Sequence, residues 1–141
     1  MNEFEISQLA QLNFINNAIY LLCVIVMTIL AFYLIRRSRE LNAPTYGKAV
    51  LTIFCTCIIF FGLQVSSFLV QAQKNMSYQF SELKQSGTEI SSTAEAIISQ
   101  FGHSFEMGPA PFNPDLPSII IWATIGFMFI GGIWFKYPDQ K

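Results

Sequence analysis

Charged residues are absent from three long runs of the chain, Ile6 to Ile35, Ala49 to Gln73 and Leu116 to Phe135. Each run approaches or exceeds the roughly 20 residues that a helix needs to cross a hydrocarbon core. The runs are continuously apolar and too long for barrel strands, so helices are expected. The pattern predicts an all-α integral membrane protein with three transmembrane helices and a small extracytoplasmic helical hairpin. Its segments are an amphipathic leader over 1–13, a first span over 14–35, a basic loop over 36–48 and a second span over 49–70. An outer helical segment with a Pro-rich connector follows over 71–117, then a third span over 118–135 and a tail over 136–141. A 22-residue first span rises about 33 Å, enough for a core of about 30 Å. Tyr20 and Tyr33 in the first span, and Trp122 and Trp134 in the third, suit rings at headgroup level.

The outer segment divides by composition. Residues 71–87 place Met76, Phe80 and Leu83 at helical spacing, so this stretch reads as an outward continuation of the second span that Gly87 stops. From Thr88, expected as a cap, Ile90, Ala94, Ile97, Ile98 and Phe101 form one apolar stripe that Gly102 closes. The prolines that follow exclude further helix. A 47-residue segment without cysteine buries little surface alone, so the stripe must rest on the other helix, on the membrane surface or on another chain. In the leader, Asn2 and Glu5 resemble a capping pair, while Phe4, Leu9 and Leu12 leave apolar positions for an interface. It reads equally as a frayed extension.

Charge sets the expected orientation. Arg36, Arg37, Arg39 and Lys48 stand against Glu40 in the first loop, a net of +3, whereas 71–117 carries a net of −3 and the leader holds Glu3 and Glu5. Basic loops stay cytoplasmic. This predicts a multi-pass protein of the inner (plasma) membrane of a bacterium, N-terminus outside and C-terminus cytoplasmic, with those four basic residues determining topology. A cleaved signal peptide needs a basic start and a shorter apolar region. The acidic start, the longer run and the following Arg36-Arg37-Ser38-Arg39 argue for a retained span.

Composition agrees. Of 141 residues 52% are hydrophobic and 12% charged, with a mean hydropathy of +0.44, whereas soluble domains carry about 25% charge. Nine acidic and eight basic side chains nearly cancel, which supplies no case for nucleic-acid binding. The expected partners are the lipid bilayer and other membrane subunits or copies of this chain, with no evident small-molecule substrate.

Candidate chemistry is sparse. His103, the sole histidine, has Glu106 nearby, too few ligands for a metal site, and reads as a solvated loop residue. Cys23, Cys55 and Cys57 fall within spans, and the Cys55-Thr56-Cys57 spacing is not a redox pair, so they read as packing residues. Gly126, Gly131 and Gly132 match no phosphate-binding or G-x-x-x-G pattern and suit close helix approach. No catalytic residue, metal or cofactor is expected.

The clearest positive signal is on the second span. Thr52, Cys55, Thr56, Ile59, Gly62, Leu63 and Ser66 follow helical spacing, and small or weakly polar side chains let helices approach and hydrogen-bond. Leu51, Phe54, Ile58, Phe61, Val65 and Phe68 are expected to face acyl chains. Gln64 is the most polar deep residue of this span. Near the outer end of the first, Asn13, Asn16, Asn17 and Tyr20 offer amides and a hydroxyl that need partners. Thr52, Cys55, Thr56, Gly62, Ser66, Asn17 and Gln64 are therefore the candidate packing or partner residues, and the pattern leaves open whether they meet this chain or another.

These readings favour a non-catalytic subunit of a larger inner-membrane assembly, such as a secretion, conjugation or respiratory system. The alternative is a membrane-permeabilising or pore-forming protein. Three spans with the N-terminus outside and the C-terminus inside resemble the plan of the lambda-type phage holins in span count and orientation. That resemblance implies permeabilisation by many copies. Holins of that plan have short connections and a strongly basic tail, whereas here the outer loop is long and the tail sets Lys136 and Lys141 against Asp139.

Overall fold

The computed structural model describes residues 2–135. Its helices are α1 (Glu3–Glu40), α2 (Thr45–Gln85), α3 (Ser92–Phe101) and α4 (Leu116–Trp134), with a 3₁₀ turn at Phe105–Met107 and no strand among the described residues. Three of these, α1, α2 and α4, are long and apolar enough to cross a membrane. The tail assigned to 136–141 lies outside the described residues.

Helix ends follow local chemistry. Asn2 and Glu5 form a reciprocal capping box: the Glu5 N–H donates to Asn2 Oδ1 at 2.8 Å and the Asn2 N–H to Glu5 Oε2 at 2.9 Å, which satisfies two donors of the first turn. The leader and the first span are consequently one helix. At its other end the Ala43 N–H reaches the Ser38 carbonyl and the Asn42 N–H the Arg39 carbonyl, with Asn42 left-handed at φ 48°. That is a Schellman stop with asparagine in the usual glycine place. The basic loop expected over 36–48 shrinks to a turn at 41–44, because Arg36, Arg37 and Arg39 belong to α1 and Lys48 to α2.

α2 runs without interruption to Gln85, and Gly87 follows at φ 85°. α3 starts later than expected. Its N-cap is Ser91, whose hydroxyl accepts from the Ala94 N–H at 3.2 Å, not Thr88. Gly102 ends it at φ 60° with its N–H on the Ile98 carbonyl. α4 begins two residues before the expected 118, since Pro117 fits a first turn, where no intrahelical donor is needed.

The chain folds as two compact units. The first comprises Met1–Ile19 and Ser66–Asp115. Its core is Ile6, Phe80 and Ala94, with Met76, Leu83, Ile90, Ile97 and Ile98 packed around them. The stripe of α3 thus rests on the far part of α2, one of the expected alternatives, and also on the leader through Ile6. The second unit comprises Tyr20–Val65 and Leu116–Lys141. Its core joins Val24, Ala31 and Ile35 of α1, Leu51, Cys55 and Ile58 of α2, and Trp122, Phe129 and Ile133 of α4. Phe32 and Phe129 pack with ring centroids 4.9 Å apart.

Candidate functional site

Within the second unit the helices meet where side chains are missing. A Cβ at Gly62 would clash with the Trp122 ring. At Gly132 it would lie 2.8 Å from Ile35 Cγ2, and at Gly126 3.1 Å from Ile59 Cδ1. Between apolar helices such close approach is the main source of attraction in lipid, where hydrophobic transfer supplies none. The packed face of α2 is Leu51, Cys55, Ile58 and Gly62, one step around from the expected stripe. Cys55 and Gly62 are inside, Thr52, Ile59, Leu63 and Ser66 are half-buried, and Thr56 and Gln64 are exposed. Leu51 and Ile58, expected against acyl chains, are core residues, whereas Phe61 is exposed. Cys23 and Cys57 are exposed free thiols.

Hydroxyls on this face serve the helices themselves. Thr52 Oγ1 donates to the Lys48 carbonyl at 2.8 Å and accepts from Trp134 Nε1 at 3.2 Å, tying α4 to α2. Thr56 Oγ1 turns back onto the Thr52 carbonyl at 2.9 Å.

The basic residues divide their work. Arg36 Nε and Arg37 Nη1 each lie 3.1 Å from the Glu40 carboxylate, and these bonds, that of Arg37 first, hold the Glu40 carboxyl below its ordinary range. Arg39 instead reaches α4. Its Nε donates to the Gly132 carbonyl, and its Nη2 donates to Gly131 at 3.0 Å and Phe135 at 3.1 Å. A guanidinium fork therefore sits on the carbonyls at the end of α4, where the helix dipole is negative, and shares the Gly131 carbonyl with the Phe135 N–H at 3.2 Å. Sequence reasoning found Arg39 as a topology residue but not this contact. Its spacing from Gly131 and Gly132, more than ninety residues along the chain, left no local signal.

The first unit is held by another chemistry. Gln71 Nε2 donates to the Ala110 carbonyl at 3.0 Å and Asn75 Oδ1 accepts the Ala110 N–H at 2.9 Å. Two amides one helical turn apart thus satisfy both backbone groups of a buried connector residue. Ser77 Oγ donates to the His103 carbonyl at 2.9 Å, and Ser81 Oγ accepts the Phe105 N–H at 3.1 Å, beside stacked Tyr78 and Phe105 rings.

His103 is buried rather than solvated, with Nε2 2.8 Å from the Gly108 carbonyl. A carbonyl partner requires Nε2 to carry the proton, so this ring closes the loop around the 3₁₀ turn. Glu3 accepts the Ser91 N–H at 3.0 Å and the Ser91 hydroxyl, first through the hydroxyl and then through the amide lowering its carboxyl pKa. Lys84 and Glu95 pair at 2.7 Å. Asn17 is buried, Ala94 of the apolar stripe is inside, and Ile90, Ile97, Ile98 and Phe101 are half-buried. Among the described residues no cluster of three or more His, Cys, Asp or Glu could hold a metal ion.

In comparisons with known proteins, no family model, no curated protein and no solved structure matches this chain.

Proposed function

We propose that this chain is a three-span integral membrane protein serving as a non-catalytic subunit of a multi-chain assembly in a bacterial inner membrane. Insertion is supported by the outward faces of the long helices: Leu22, Val26, Ile29 and Tyr33 of α1, Ile53 and Phe60 of α2, and Phe127 of α4 are all more than half exposed. In water such faces would demand cover, and acyl chains supply it. The basic turn then faces the cytoplasm, and the segment 71–117 lies outside with the leader.

The observation that carries the subunit reading is the exposed amide of Gln64 within the charge-free run of α2. A polar group left unpaired in hydrocarbon is costly, and a second helix relieves it with a hydrogen bond worth about 0.6 to 2 kcal/mol. The leader adds support. Ile6 and Ala10 are buried while Phe4 and Leu12 are exposed on its other side, and a helix apolar on both sides normally has neighbours on both.

Alkaline carbonate extraction and reporter fusions at Pro44 and Ser92 test insertion and orientation. The expected results are a carbonate-resistant chain with Pro44 inside and Ser92 outside. Gentle solubilisation followed by native electrophoresis tests assembly. A species well above 16.0 kDa, weakened about three- to thirty-fold in association by Gln64→Leu, is expected. A lone monomer refutes the subunit reading, and abrupt loss of membrane integrity on controlled expression would assign permeabilisation instead.

A further inference from the structure

In the second unit, α1 and α4 leave an open groove of about 430 Å³ lined by Phe32, Thr124, Phe127, Met128, Gly131 and Gly132. We propose that this groove holds one acyl chain of an anionic phospholipid whose phosphate is taken by Arg36. The inference rests on the membrane-inserted reading.

The lining side chains are apolar apart from the Thr124 hydroxyl, which is bound to the Ile120 carbonyl at 2.8 Å. One end of the groove is basic. Gly131 and Gly132 both line it and both give their carbonyls to Arg39, which fixes a guanidinium at that end. Phe32, Arg36 and Arg39 stand at i, i+4 and i+7 on α1 and so share one helix face. Going along that face from the groove wall at Phe32, Arg36 comes one turn later and Arg39 two. The Arg36 side chain is 83% exposed and uses its Nε on Glu40, and its terminal amino groups are of the kind that grip phosphate in pairs. An apolar slot ending in arginines on the basic side of a span complements a lipid with two greasy tails and a negative head.

The two glycines separate the groove from the packing. Gly132 is needed where α4 meets Ile35. A Cβ on Gly131 would meet only Phe135 Cδ2, at an ordinary 3.8 Å, so no contact between these helices requires glycine there. Glycine is a poorer helix former than alanine, and what its absence of side chain leaves open at 131 is the groove.

The test reconstitutes the full chain in vesicles of equimolar phosphatidylcholine and phosphatidylglycerol, extracts it gently and counts retained lipids by mass spectrometry. About five-fold enrichment of phosphatidylglycerol is expected, the size of effect that one basic residue exerts at an anionic surface. Gly131→Leu should remove about one lipid per chain together with the enrichment, and Arg36→Gln should remove the enrichment while keeping the count. Lys48→Gln should change neither. Retained lipid that mirrors the vesicle, enrichment surviving Gly131→Leu, or equal losses with Lys48→Gln and Arg36→Gln would each overturn the site. A chain stripped by carbonate overturns the membrane reading as well, whereas a resistant chain without enrichment overturns the lipid site alone.

Discussion

The two units of this protein are held together by opposite means. In the second, helices touch where glycine removes a side chain, and several polar side chains are turned onto helix backbone, as Arg39 is onto the end of α4 and Thr52 onto Lys48. In the first, a modest apolar cluster around Phe80 is supplemented by side chains of α2 that reach out to hold an irregular connector by its own N–H and carbonyl groups. The difference teaches two ways of satisfying backbone polar groups. Irregular backbone is tolerated where side chains or water satisfy it, while apolar surroundings favour helices whose backbone is satisfied within.

The sharpest way to break the second unit is Gly62→Leu, which drives a side chain into the Trp122 ring. Overpacking of this severity should cost about 3 kcal/mol or more, read as a lowered midpoint of unfolding in detergent or bicelles. Combining it with Trp122→Ala should recover part of that loss, because the added volume then has somewhere to go. Next in size is Arg39→Ala, which removes the guanidinium from the Gly131, Gly132 and Phe135 carbonyls at the end of α4 and should cost about 2 kcal/mol. Arg39→Lys should recover only a fraction, since an ammonium lacks the fork that spans adjacent carbonyls.

The first unit should respond more gently and more locally. Asn75→Ala should cost about 1 kcal/mol, with faster hydrogen exchange at the Ala110 amide while exchange within α4 is unchanged. An equal rise in both would contradict the separate construction of the two units. The smallest effect expected is that of acid on the leader. Ser91 lowers the Glu3 pKa in the folded state, so the contribution of this contact is complete above the ordinary carboxylate value and is lost as the pH falls through the lowered one. Protection of the Ser91 amide should fade over that acidic window in the natural chain. Glu3→Gln should lack this transition.

Much of the architecture was legible because it depends on local patterns. Three charge-free runs, the Asn2 and Glu5 pair, the stop at Gly102 and the stripe of α3 are each written within a few turns of chain. The candidate site was legible only in outline. Of the expected packing or partner residues Cys55 and Gly62 are buried while Thr56 and Gln64 are exposed, and Leu51 and Ile58, assigned to lipid, are core residues. A helix apolar around its whole circumference does not reveal which side its neighbours occupy. His103 misled for a related reason: a histidine between Gly102 and Ser104 has a local signature of solvent, whereas it is buried, with its carbonyl held by Ser77, 26 residues away.

The amino-acid sequence alone therefore determined the number and apolar character of the long helices, and the concentration of positive charge between the first two, because these follow from hydrogen bonding and transfer free energy residue by residue. Only the tertiary structure decided that Arg39 serves α4 rather than the turn, that the leader docks on α3 through Glu3 and Ile6, and that α2 turns Leu51 and Ile58 inward. Those outcomes depend on steric fit and on pairing between groups far apart along the chain, which no local periodicity encodes.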